Sequence, residues 1–407
     1  MYKNLGLVLF VTVLQACGGG GGTAATLVPL KNIEYVTADQ LQTAATDVNA
    51  KSYVDSYAVT TQNPNGNWQP ASPIYFWGQT LTNQCISRWC TTGPAIARPA
   101  QEVMDAWNQG WTGKDVNVLI EDSITQQHGA ITGLLAYRYA PGANFYGLDI
   151  VGNSFATDVF FNQLNSNQSG LYGNNIKLGV VNQSYTANLS SLIRREQTFG
   201  AWTNDELIRA RIAYTGSEVS TINRMKDAGV SGQLKQFIFF DAVITKAAGN
   251  DKILSEYEPL NWFLAKDTDI RGRLLIVGAL DQAGSVTNPS SIASYSNTAG
   301  NDTDVSSRFL VASGTTPFYS GQVAIGGQTV SQGDGTSFAA PRVAGYVAIV
   351  RSKFPNLNAS NTASILLDTA RYDTLACSKN GGTCDPAIYG KGEASLSRAL
   401  APVGKLR

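Results

Sequence analysis

Ser337 lies in Gly333-Asp-Gly-Thr-Ser-Phe-Ala-Ala-Pro-Arg-Val-Ala-Gly345, where a small-residue turn delivers a hydroxyl to the start of an apolar helix. Gly335 and Thr336 allow a tight approach, and Ala339, Ala340, Val343, Ala344 and Gly345 let that helix pack closely. A helix N-terminus carries positive potential and favours a developing anion. A serine hydroxyl is nevertheless a weak nucleophile until a base takes its proton. The chain contains one histidine, so an imidazole that activates Ser337 can only be His128. Taken alone, the Thr336-Ser337 pair also reads as a helix cap, and a single histidine beside glycine also reads as a packed or solvated side chain.

The elements around His128 favour the chemical reading. Val116-Asn-Val-Leu-Ile-Glu-Asp-Ser123 is a buried-strand pattern that ends in an acid. Gly129-Ala-Ile-Thr-Gly-Leu-Leu-Ala136 reads as a buried helix. The expected order is strand, Asp122, short loop, His128, helix. Six residue steps span roughly 20 Å when extended, enough for Asp122 to turn back and orient the imidazole. Ala247-Ala-Gly-Asn-Asp251 follows the strand-like Phe237–Thr245. It is a common turn signal, and Asn250 could there donate an amide hydrogen bond to an oxyanion.

These blocks together resemble the subtilisin-like serine peptidases. Asp122, His128 and Ser337 occur in that family's chain order, and the likeness runs from about Arg98 to Gly404. Trp107–Val116 resembles the entry into the first central strand, and Val180-Val-Asn-Gln-Ser184 the strand lining the substrate cleft. Leu274–Asp281, Ala293-Ser-Tyr-Ser296 and Phe309–Gly314 resemble the strands and turns before the serine block. Tyr389-Gly-Lys-Gly392 and Ala399–Gly404 resemble the closing segment.

The resemblance implies an α/β fold of three layers: a mainly parallel sheet with helices on both faces, the site at the carboxyl ends of the strands. It implies hydrolysis of peptide bonds in protein or peptide substrates through an acyl-enzyme. Asp122, His128 and Ser337 would be catalytic and Asn250 the oxyanion donor. Ser184, Tyr185, Thr186, Ala248 and Gly249 would line the substrate cleft. No organic cofactor is expected. Calcium is common among relatives, but no loop here is diagnostic of it, and no metal ligand is assigned.

The chain departs from the family pattern at four places. The acid and histidine are much closer than usual, so a surface strand or metal loop of relatives is expected to be missing. The second histidine of the family's His-Gly-Thr-His block is Ile131. Glu121 stands where an aliphatic residue is usual. Thr186 stands where glycine is frequent, so a Cβ should narrow the pocket before the scissile bond. Two rival readings stay open: an inactive member of the fold serving as a surface binding module, and an acid-active Ser-Glu-Asp relative using Glu121. The latter group lacks the histidine base and carries aspartate at the oxyanion position, unlike this chain.

The rest of the chain supplies context. Lysine plus arginine equals aspartate plus glutamate, 30 each, leaving no basic footprint for nucleic acid. Met1–Asn4 and the apolar Leu5–Leu14 have the form of a secretory signal. Leu14-Gln-Ala-Cys17 resembles a bacterial lipobox, which makes Cys17 a lipidation site. An envelope lipoprotein attached to the outer membrane is therefore expected, with a cleaved soluble signal or an uncleaved anchor as alternatives. The apolar run is short for a membrane span.

The chain divides into 1–17, signal and lipobox; 18–97, a glycine tether and an N-terminal region that is prosegment, lid or spacer; and 98–407, the peptidase domain. A short helix is expected over Ala38–Ala50 and packed helices over Leu189–Leu234. Cys85, Cys90, Cys377 and Cys384 permit three pairings in an oxidising compartment, of which the sequence-local one is Cys85–Cys90 with Cys377–Cys384. A four-thiolate metal site is the alternative.

Overall fold

A computed structural model describes residues 36–58, 60–62, 68–70, 74–76, 79–81, 100–122, 127–149, 177–186, 203, 205, 241–316, 324–325, 328–329 and 333–402. The core is a six-stranded sheet formed by β1 (Asn117–Asp122), β2 (Asn144–Asp149), β3 (Leu178–Gln183), β4 (Val243–Ala247), β5 (Leu274–Leu280) and β6 (Phe309–Ser313). All neighbours are parallel. The order across the sheet is β2-β1-β3-β4-β5-β6. Strands β3, β4, β5 and β6 are buried along their whole length, as near-continuous apolar runs require in a covered parallel sheet.

The chain leaves β1 in one direction to form β2 and returns on the other side as β3. The order reverses between β1 and β3, and the crevice outside the carboxyl ends of such strands is where open α/β sheets bind ligands. Asp122 ends β1 and Gln183 ends β3, so both lie at that crevice.

The longer helices among the described residues are α1 (Ala50–Ala58), α2 (Gln101–Asn108), α3 (Gln127–Tyr139), α4 (Pro259–Lys266), α5 (Thr336–Lys353) and α6 (Ala359–Asp368). Helix α5 crosses the sheet over β3, β4, β5 and β6 and packs on α3. Its small residues make this possible: a Cβ on Gly345 would stand 2.4 Å from the Tyr139 Cβ. Helix α3 begins at Gln127, so His128 sits inside its first turn rather than in the loop before it.

No helix spans Ala38–Ala50. A single 3-10 turn covers Asp39–Leu41, and α1 starts only at Ala50. Asp47 explains the break. Its Oδ1 accepts from the Asn49 N–H at 2.9 Å, while Oδ2 takes the Thr112 hydroxyl. An aspartate that bonds the backbone two residues on holds a turn against a helix. The segment is stitched to the sheet domain: Ala44 N donates to Lys353 O at 2.9 Å, and Asp47 N to Gly110 O at 2.9 Å. Cys377 and Cys384 form a disulfide with Cα atoms 5.0 Å apart. Cys17, Cys85, Cys90 and nearly all of Leu189–Leu234 lie outside the described residues.

Candidate active site

Asp122 closes β1 with its side chain 2% exposed. His128 Nδ1 lies 2.9 Å from Asp122 Oδ1 and 3.1 Å from Oδ2. Thr132, one turn along α3, places its hydroxyl 3.2 Å from Oδ2. The short link thus suffices, because the helix starts early enough to bring His128 back over the strand end. With Nδ1 held by the carboxylate, Nε2 is the free ring nitrogen, and the imidazole remains 38% exposed. Its ring centre is 5.6 Å from that of Phe338, the residue directly after Ser337. Burial pulls the imidazolium down, but the hydrogen bond and charge of Asp122 outweigh it, so His128 titrates above its ordinary 6.5.

Ser337 is the second residue of α5 and is half-buried. The N-cap residue, Gly335, has no side chain to cap this helix start, and the first-turn N–H groups of a helix have no intrahelical acceptor. Pro341 sits four residues after Ser337, and having no N–H it cannot bond the Ser337 carbonyl.

Asn250 is locked to the same turn. Its Oδ1 accepts from the Thr336 backbone N–H at 2.9 Å and from the Thr336 hydroxyl at 3.0 Å. The Thr336 hydroxyl in turn accepts from Gly249 N at 3.1 Å. With its oxygen committed to the helix, the amide presents Nδ2 as donor beside Gly335. Gly249 has φ 111°, and a Cβ there would meet the Asn297 amide at 2.3 Å. Glycine is therefore required at this position.

Asn297 is a site-building residue that the sequence reading missed. It is fully buried. Its Nδ2 donates to Ala248 O at 2.8 Å, and its Oδ1 accepts from Asp251 N at 3.0 Å and Ile253 N at 3.2 Å. It shapes the turn that carries Asn250 by bonding the backbone on both sides of it. Its one sequence signal is an amide directly after Ala293-Ser-Tyr-Ser296.

Ser184 is buried and accepts from Asn182 Nδ2 at 2.9 Å. Tyr185 and Thr186 follow, both half-buried. The Thr186 methyl lies on the Gly249 side of the crevice, 3.5 Å from where a Gly249 Cβ would stand. Glu121 and Asp122 are successive strand residues and point to opposite faces. Accordingly the Glu121 carboxylate is engaged by Gln183 and Tyr185. Burial raises it above its usual range, while those donors, and the charge of Lys246, act the other way. Among the described residues no three His, Cys, Asp or Glu side chains cluster as a metal site would need.

An imidazole oriented by an acid and packed against Phe338, the residue after Ser337, lies at the reversal point of a parallel sheet, an arrangement of residue types that suits acyl transfer. The chain belongs to the subtilase family, whose sequence profile matches residues 46–392. It is a serine peptidase acting on peptide bonds of proteins or peptides. No curated protein sequence matches it. Among solved structures it is similar to the prenylagaramide maturation protease PagA, at 16% identity over 74% of this chain and 98% of that one, TM-score 0.42. It is also similar to a protease of Pseudoalteromonas arctica, at 15% identity over 75% and 95%, TM-score 0.42. Fervidolysin from Fervidobacterium pennivorans, a keratinolytic enzyme related to subtilisin, shares 19% identity over 75% of this chain and 44% of that one, TM-score 0.43.

Proposed function

We propose that this peptidase works through Asp122, His128 and Ser337, with Asn250 as oxyanion donor. The observation that carries the proposal is the Asp122–His128 hydrogen bond at 2.9 Å, with the imidazole packed beside Phe338. His128 Nε2 takes the Ser337 proton as Oγ attacks the peptide carbonyl. Asp122 holds the tautomer with hydrogen on Nδ1 and stabilises the imidazolium. Asn250 Nδ2 and the Ser337 N–H bind the carbonyl oxygen as it becomes negative. The imidazolium protonates the leaving amine, and water then hydrolyses the acyl-enzyme by the reverse proton path.

Extended substrate lies along Ser184–Thr186 on one side and Ala248–Gly249 on the other. The Thr186 side chain favours a small or narrow residue before the scissile bond. Ser337→Ala should lower kcat at least about 10³-fold while leaving the fold intact. An organophosphonate should label the parent and not the variant. Turnover by the variant comparable to the parent's would remove Ser337 as nucleophile.

We further propose that the enzyme is exported and held at the bacterial envelope by a lipid on Cys17. The support is the Leu14-Gln-Ala-Cys17 pattern after an apolar stretch and before Gly18–Gly22. Metabolic labelling with a fatty acid should mark the parent and not Cys17→Ala. A mature N-terminus other than residue 17, read by mass spectrometry, would end this reading.

A further inference from the structure

Glu121, Gln183 and Lys246 stand in a row across three neighbouring strands. The register pairs Glu121 with Gln183 and Gln183 with Lys246, so the three side chains share one face at the carboxyl edge of the sheet. Glu121 and Lys246 are 0% exposed and Gln183 is 4% exposed. Glu121 Oε2 accepts from Gln183 Nε2 at 2.9 Å, and Oε1 accepts from the Tyr185 hydroxyl at 2.9 Å. The Lys246 ammonium lies 4.7 Å from the centre of the Tyr185 ring. Among the described residues it has no hydrogen-bond partner. Burying opposite charges gains little stability over apolar residues of the same volume, so packing alone does not account for this row.

Position accounts for it. Both ladders that hold β3 end at Gln183. The cleft segment Ser184–Thr186 has left the sheet and must be held by side chains. Tyr185 is its middle residue. Its hydroxyl is fastened to β1 through Glu121, and its ring rests on the ammonium of β4, a cation–π contact. The next residue of β1 is Asp122, and two residues beyond Lys246 the oxyanion turn begins.

We propose that Glu121 and Lys246 are positioning residues for the cleft segment: they clamp Tyr185 from beneath and set where an extended substrate backbone lies. They touch no reacting atom. The proposal rests on the cleft reading above, and it predicts an effect on substrates that run along Ser184–Thr186 but not on those that occupy only the position before the scissile bond.

The test uses the full chain and two variants, Glu121→Gln and the double variant Glu121→Leu/Lys246→Met, which removes both charged groups that hold Tyr185. Hydrolysis of a hexapeptide is compared with that of a single-residue ester, and phosphonate labelling counts intact sites. In the double variant the hexapeptide KM should rise about 10-fold with kcat within about 3-fold, and ester kcat/KM should stay within about 3-fold of the parent. Glu121→Gln should recover most of the KM, because its amide oxygen still accepts the Tyr185 hydroxyl. A hexapeptide KM unchanged in the double variant would overturn the proposal, as would an equal fall for both substrates. Turnover surviving in Ser337→Ala would instead overturn the nucleophile assignment, which separates the two failures.

Discussion

One imidazole in the whole chain makes the acid–base chemistry unusually easy to interrogate. A general base must be neutral in the free enzyme. Burial opposes the charged form of His128, but Asp122 supports it more strongly, and the net shift is upward from 6.5. Activity should therefore be complete above the raised value and fall as pH drops through it. The acid limb of kcat/KM should be a single ionisation centred above about 6.5. His128→Gln should abolish that limb together with most of the activity. Full activity below about pH 5 in that variant would exclude the imidazole as base. Ser337, His128 and Asp122 stand out in the sequence because their blocks are local, and the fold brings Asp122 and His128 within 2.9 Å of each other. Glu121 was visible only as an anomaly: which face of a strand a side chain takes, and which neighbouring strand supplies its partners, depends on register. Asn297 was silent for the same reason, since its work is done on a turn more than 40 residues upstream.

At the scale of elements, the strands and the long helix follow directly from apolar runs and small residues, whereas the segments that cross between them do not. Glu393 shows why. It lies in the closing segment, exchanges backbone hydrogen bonds with Arg371 at 2.7 and 2.9 Å, and accepts from Gly284 N at 3.1 Å. No local pattern announces a carboxyl that is 6% exposed. Burial pushes it up to about 7 from 4.5, against the opposing influence of Thr374, Gly284 and Arg371. The folded protein thus holds this proton more tightly than the unfolded chain. Stability should fall as pH rises from about 4.5 to about 7, by on the order of 3 kcal/mol if nothing else titrates. Glu393→Gln keeps the oxygen that meets Gly284 and carries no charge. Its Tm should exceed the parent's by a few degrees at pH 8 and match it at pH 4.5, as scanning calorimetry would report. A parent and variant with the same pH dependence of Tm would show that Glu393 stays charged in the fold. The expected Ala38–Ala50 helix failed on a comparable hidden partner, Thr112, which diverts Asp47 into a turn.

Over the whole molecule, the N-terminal stretch 36–58 is built into the sheet domain rather than strung in front of it. Tyr53 of α1 packs on Trp107 with ring centres 6.4 Å apart. Val36 and Leu41 pack against the core, the Asn356 side chain donates to Asp39 O at 3.0 Å, and Ala44 bonds the last residue of α5. Residues 36–44 therefore meet the fold where α5 ends, and Ser337 lies at the helix's other end, about 24 Å away along its axis. The Val36–Ala44 segment and Ser337 thus sit at opposite ends of α5. A resin, a carrier protein or a particle coupled to the Val36–Ala44 segment would meet the enzyme at the end of α5 away from Ser337. The Ser337 end of α5 would stay clear of the attachment, which makes residues 36–44 a natural handle for immobilising this peptidase.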